Sequence, residues 1–174
     1  MLLCTPPSSV KIGGLRKSEL LSLLHHSGVL LNELAVQLFE DERFSTLPTS
    51  RDIEIIHRSV AELGFPDGAV WDELTKRAAA QGYYSCPLEL GPHLRLHLTN
   101  QGEGSTGQPK SENRAPPGSL TVVSEALSPN DEFPKGFYLR RIDGTLWLRG
   151  YRSWAGHVWE PANCLVFSRT SNAA

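Results

Sequence analysis

Apolar and polar positions recur along this chain at two periods, one helical and one extended. Leu15, Leu20, Leu21, Leu23 and Leu24 make a helical stripe with Arg16, Lys17 and Glu19 off it. Gly28 interrupts the stripe, and Leu30, Leu31, Leu34 and Leu38, spaced by three and four, predict a second helix. Residues 51–63 fit both periods. Ile53, Ile55 and His57 alternate as in a strand, while Ile53, Ile56, Val60 and Leu63 share a helical face; the β-branched density favours the strand. A helix is predicted over 69–81, with Val70, Leu74 and Ala78 inward and Gly82 as its stop. His93 to Leu98 alternates strictly and predicts a strand, leucines on one side and His93, Arg95 and His97 on the other. Further strands are predicted over 120–127, 137–142, 145–151 and 164–168. Asp143-Gly144 between two alternating runs is a strong hairpin signal.

Two stretches carry no such pattern. Residues 1–14 read as a loose tail rich in Pro, Ser and Gly. Residues 101–118 read as a flexible polar insert without a large apolar side chain. The whole predicts a single α+β domain over residues 1–174: N-terminal helices, then a mostly antiparallel sheet of about five or six strands with one helix packed on it. The 55 residues from Leu120 onward are too few for a robust core of their own.

Composition narrows the class. With 40% hydrophobic and 21% charged residues among 174, the chain can bury a core, which excludes wholesale disorder. No run of about 18 apolar residues is present, so no membrane-spanning helix and no membrane partner are expected. Cys4, Cys86 and Cys164 are odd in number and lack CxxC spacing, which argues against a disulfide framework or a thiolate zinc site. The first residues lack a secretory pattern, and the expected setting is the cytoplasm. The formal net charge is −2, a poor balance for general nucleic-acid binding. Residues 137–174 differ: five arginines stand against two acids.

Candidate chemistry falls in two places. On an extended backbone His93, Arg95 and His97 would project together, about 7 Å apart, with Glu89 and Cys86 just upstream. Arg95 would clamp an anion, and a histidine near neutral pKa would move protons with Glu89 orienting it. A metal held by His93 and His97 is disfavoured, because four strand residues span about 13 Å. Cys86 as a nucleophile competes with Cys86 as a small buried hydrophobe. The plain alternative for the whole face is the solvated side of an edge strand. The second place is the C-terminal sheet, where Tyr138, Arg140, Arg141, Trp147, Arg149, Tyr151, Arg152, Trp154 and Trp159 interleave rings and guanidinium groups. Arg140, Trp147 and Arg149 would suit stacking on single-stranded nucleic acid or an acidic peptide. Against this stands a core-and-rim role. No phosphate loop, dinucleotide fingerprint, nucleophile elbow or HExxH motif is present, so no cofactor, metal or catalytic residue is assigned.

The segment LGFPDGAVWDELTKRAAAQGYYSCPLELGPHLRLHL resembles a recurring segment of bacterial proteins of unassigned function. The features that carry it are Leu63-Gly64-Phe65, Gly68-Ala69, Cys86-Pro87, Glu89, Pro92 and Leu94-Arg95-Leu96. The resemblance covers roughly residues 51–100, and the polar insert after Gln101 departs from it. It implies a single α+β domain, bacterial and cytoplasmic, and brings no activity with it. The functional expectation is a small soluble binding or interaction module for an anionic molecule or a protein partner. A small enzyme acting on an anionic metabolite or nucleotide, and nucleic-acid binding by the C-terminal sheet, are the alternatives.

Overall fold

A computed structural model describes residues 5–104 and 115–171. Ser9–Ile12 form β1, Lys17–His26 helix α1, Leu30–Leu31 β2 and Glu33–Glu40 α2. Then come β3 (Arg51–Ser59), β4 (Ala69–Val70), α3 (Trp71–Ala80) and α4 (Leu90–His97). The C-terminal part supplies β5 (Leu120–Val122), β6 (Gly136–Ile142), β7 (Thr145–Tyr151), β8 (Val158–Trp159) and β9 (Cys164–Ser168).

Seven strands join one sheet in the order β1-β3-β9-β5-β6-β7-β2, and β4 pairs with β8 in a separate ribbon. The α+β class holds, with two corrections. The sheet is mixed, because β5 runs parallel to β9 and β2 parallel to β7. The helices are not all N-terminal, since α3 and α4 lie in mid-chain.

Alternation along the strands builds a core on each face. Ile53, Ile55, Leu120, Val122, Phe137, Leu139, Leu148, Cys164 and Val166 point to one side. There they meet Leu20 and Leu24 of α1, Ala35 and Leu38 of α2, and Leu90 and Leu94 of α4. Ile56, Leu165 and Phe167 point to the other, where Leu74 and Ala78 of α3 cover them with Trp159. The strand expected over residues 51–63 forms over Arg51–Ser59 and gives way to a turn at Val60, and the helix expected from residue 69 starts at Trp71, with Leu74 and Ala78 inward as expected but Val70 in β4. The Asp143-Gly144 turn has both residues at positive φ, 48° and 78°, as a type I′ hairpin requires.

Three local expectations change. The N-terminal residues 9–12 are not a loose tail: Val10 and Ile12 are buried, and β1 pairs antiparallel with β3. Leu30 and Leu31 are not helical, because Asn32 starts α2 after them, its Oδ1 accepting from Ala35 N at 3.0 Å. The insert cannot begin at Gln101, which is fully buried. Its middle, residues 105–114, lies outside the described residues. No helix among those described is long and apolar enough to cross a membrane.

The largest correction is α4. Residues 93–97 coil instead of extending, so His93, Arg95 and His97 do not share a face. Leu90 and Leu94 are one helical turn apart, and both enter the core. Pro92 fits because the first turn of a helix needs no backbone N–H partner. Gly91 is required by close packing: a Cβ there would stand 2.8 Å from the Phe137 side chain.

Candidate functional site

Burial removes most of the first predicted cluster from solvent. Glu89 is 2% exposed, His93 5% and Arg95 0%. Glu89 Oε1 accepts from Leu47 N at 3.0 Å, and His93 Nε2 accepts from Gly13 N at 3.3 Å. These two side chains tie the loops after α2 and β1 to α4. Arg95 donates from Nη1 to Gln101 Oε1 at 2.6 Å and from Nη2 to Leu98 O. Gln101 Nε2 in turn donates to Gly118 O and Leu139 O, at 2.9 and 3.1 Å. Arg95 is thus the centre of a buried polar lock joining α4 to both ends of the 101–118 segment. Only His97 is exposed, with its Nδ1 2.9 Å from His93 O. Cys86 is buried, its thiol 3.6 Å from Val166 O, and burial pushes its pKa well above the usual thiol range. A thiol held protonated in this way is no nucleophile at neutral pH. Among the described residues no group of three His, Cys, Asp or Glu is placed to hold a metal ion.

The second cluster fares differently. Tyr138 lies opposite Arg149, and Arg140 opposite Trp147, in the β6–β7 register. All four therefore stand on one face of the sheet, the face that α3 shares, and all are partly exposed. Arg149 Nε donates to the Tyr138 hydroxyl at 2.8 Å. Its guanidinium lies 5.0 Å from the Trp147 ring centroid and 6.0 Å from that of Tyr138. Both terminal nitrogens of Arg149 lack a hydrogen-bond or carboxylate partner among the described residues.

Arg149 lines a cleft of about 410 Å³ with Asn32, Thr121, Tyr138, Arg152, Trp154, His157 and Trp159. That volume lies within the range of small-molecule sites. Among the described residues its lining holds two arginines and no carboxylate. Arg152 is exposed and partly committed, with Nε donating to Glu132 O at 2.6 Å and Nη1 3.7 Å from Glu132 Oε2. His157 packs edge-on against Trp154 and Trp159, at 5.0 and 5.3 Å between centroids. Burial lowers its pKa below the ordinary histidine value, with Glu160 opposing, so it is neutral at pH 7. Asn32 sets the end of the cleft: its Oδ1 accepts from Gly150 N at 2.8 Å and its Nδ2 donates to Gly150 O at 3.0 Å. Gly150 must be glycine, because a Cβ would stand 2.6 Å from the Leu34 carbonyl carbon. That close approach brings the start of α2 against β7, where helix-end N–H groups favour negative charge.

Of the sequence-predicted residues, the structure gathers Tyr138, Arg149, Tyr151, Arg152, Trp154 and Trp159 at this cleft. Arg140 and Trp147 extend the same strip towards the hairpin. Glu89, His93, Arg95 and His97 take no part in the lining. Sequence reasoning missed His157 and Asn32. The spacing of Trp154, His157 and Trp159 was a signal for the first; nothing local marks Asn32, which reaches Gly150 across 118 residues. No family model, curated protein or solved structure matches this chain.

Proposed function

We propose that the protein is a binding module for an anionic ligand that carries a flat ring, taken up in the Arg149 cleft. The observation that carries this reading is the guanidinium of Arg149. Tyr138 and Trp147 hold it in place, and among the described residues both terminal nitrogens are unsatisfied and no acid shares its cleft. A fixed planar fork of donors suits a phosphate or carboxylate, and it loses little freedom on binding. Trp154, 46% exposed, and His157 supply faces for a ring. A cytoplasmic setting belongs to the same proposal, and the free, buried Cys86 suits it. Bacterial origin rests on the sequence resemblance alone.

Adenosine monophosphate and adenosine are the probes. Binding followed by tryptophan fluorescence is expected for the nucleotide, with the nucleoside about tenfold weaker or more, because a charge-assisted pair is lost. Arg149→Ala abolishes that preference. Equal affinity for the two probes, or an unchanged preference in Arg149→Ala, rejects the reading.

The in-register strip of Tyr138, Arg140, Trp147 and Arg149 favours one extension, a short single-stranded oligonucleotide laid along β6 and β7. Its mark is a steep fall of affinity with salt that flattens in the Arg140→Ala/Arg149→Ala double variant. An enzyme acting through Glu89, His93 and Arg95 finds no support, since all three are buried in structural hydrogen bonds or packing.

A further inference from the structure

The Arg149 cleft carries a histidine beside its fixed charges. His157 lines it and is half-buried, its ring edge-on to both Trp154 and Trp159. A bond from His157 N to Trp154 O, 3.0 Å long, closes the turn that sets the ring against these indoles. Among the described residues neither ring nitrogen has a hydrogen-bond partner, so no hydrogen bond favours the neutral ring or the cation.

The surroundings of His157 hold a short set of charged and titratable groups. Strand β7 brings Arg149 and Tyr151 to the cleft, β6 brings Tyr138, and Arg152 follows β7. Arg152 leans on Glu132, 3.7 Å away and exposed. Burial raises the Tyr151 phenol far above its usual range, so it stays neutral. Asn32, at the start of α2, and Thr121 of β5 add no charge. Glu160, just after β8, favours a proton on His157, but burial outweighs it.

A cation in this half-buried place is costly, because little water solvates it. An anion seated on Arg149 puts the opposite charge in the same cavity and removes part of that cost. By linkage the effect is mutual: the factor that the anion adds to proton affinity is the factor that the proton adds to anion affinity. We propose that His157 makes anion binding in the Arg149 cleft pH-dependent, the affinity rising as His157 takes up a proton and becomes a third cation beside Arg149 and Arg152. This inference rests on the Arg149 cleft being an anion site and adds its regulation.

Adenosine 5′-sulfate is the probe, because its sulfate ester keeps one negative charge from about pH 5.5 to 8, and adenosine is the neutral control. Binding is measured by titration calorimetry at constant ionic strength. The sulfate ester should bind about three- to tenfold tighter at the lower pH, and adenosine equally at both. His157→Gln, checked for native circular dichroism, should flatten that slope whatever its affinity at the higher pH. His57→Gln should keep the slope, because His57 lies on β3 outside the cleft. In the wild-type protein the His157 ring-proton signal, assigned by its loss in His157→Gln, should titrate at a pH about 0.5 to 1 higher with saturating sulfate ester. A preference for the sulfate ester over adenosine that is equal at both pH values overturns the coupling and leaves the Arg149 reading standing. So does a His157 titration that the ligand does not move, or a slope that survives in His157→Gln. No preference at either pH overturns both.

Discussion

Replacing Gln101 by leucine tests the buried polar lock. The two side chains are close in volume, so packing changes little, while three hydrogen bonds vanish: those linking Gln101 to Arg95 Nη1, Gly118 O and Leu139 O. Both Arg95 and Gln101 are fully buried, so water cannot replace the lost partners without the structure opening. A hydrogen bond to a charged group contributes about 1.5–3 kcal/mol, and a buried neutral group left open costs about 1–3 kcal/mol. The sum expected for Gln101→Leu is about 3–5 kcal/mol, a large share of a typical stability of about 5–15 kcal/mol. At this chain length the melting temperature should fall by about 10 °C. Urea unfolding followed by circular dichroism reads the same loss as a lower midpoint with an unchanged slope. Arg95→Met alone should also destabilise. The double variant should lose less than the sum of the single changes, since each change removes the same Arg95–Gln101 bond. A Gln101→Leu midpoint within about 0.5 kcal/mol of wild type would refute the reasoning, because that is the range of surface substitutions that touch nothing.

Other outcomes follow from the same geometry. Gly150→Ala should cost about 1–3 kcal/mol, measured by urea unfolding, because its Cβ meets the backbone at Leu34 and Ala35, which cannot rotate away. It should also weaken nucleotide binding by shifting the start of α2 from the cleft. Gly144→Ala should cost about 1 kcal/mol in the same assay, the penalty of a side chain at positive φ. Stability should fall as pH drops below about 6.5. Burial lowers the folded pKa of His57 and His157, so the unfolded chain takes up these protons first. The stability is fully present above the unfolded value and is lost towards the depressed folded ones. Thermal melts from pH 8 to pH 5 should show a drop that His57→Gln/His157→Gln reduces.

Which features were legible in the sequence depended on whether their signal was local. Residues 51–59 announced a strand through β-branched density, and Asp143-Gly144 announced its hairpin through two residues that tolerate positive φ. The α4 segment misled for a physical reason. Leu94, Leu96 and Leu98 alternate as in a strand, but Leu90, Leu94 and Leu98 also repeat every four residues. A helix buried on nearly every side has no polar face to break that tie, and Arg95 is polar without being exposed. Ser9–Ile12 does alternate, yet it is framed by Pro6, Pro7, Gly13 and Gly14, which read as a tail. The parallel partners β2 and β5 have two and three residues, too short for any period to mark. At the site, Arg149 and its neighbouring rings were visible because strand register places alternate residues on one face. Asn32 was not, because only tertiary structure brings α2 to Gly150.

The indole signals of the four tryptophans test the Arg149 cleft most directly. On titration with adenosine monophosphate, the Trp147 and Trp154 signals should move together and saturate, and both movements should disappear in Arg149→Ala. Four unmoved signals at saturating nucleotide, or shifts that persist in Arg149→Ala, would contradict an anion seated on that guanidinium.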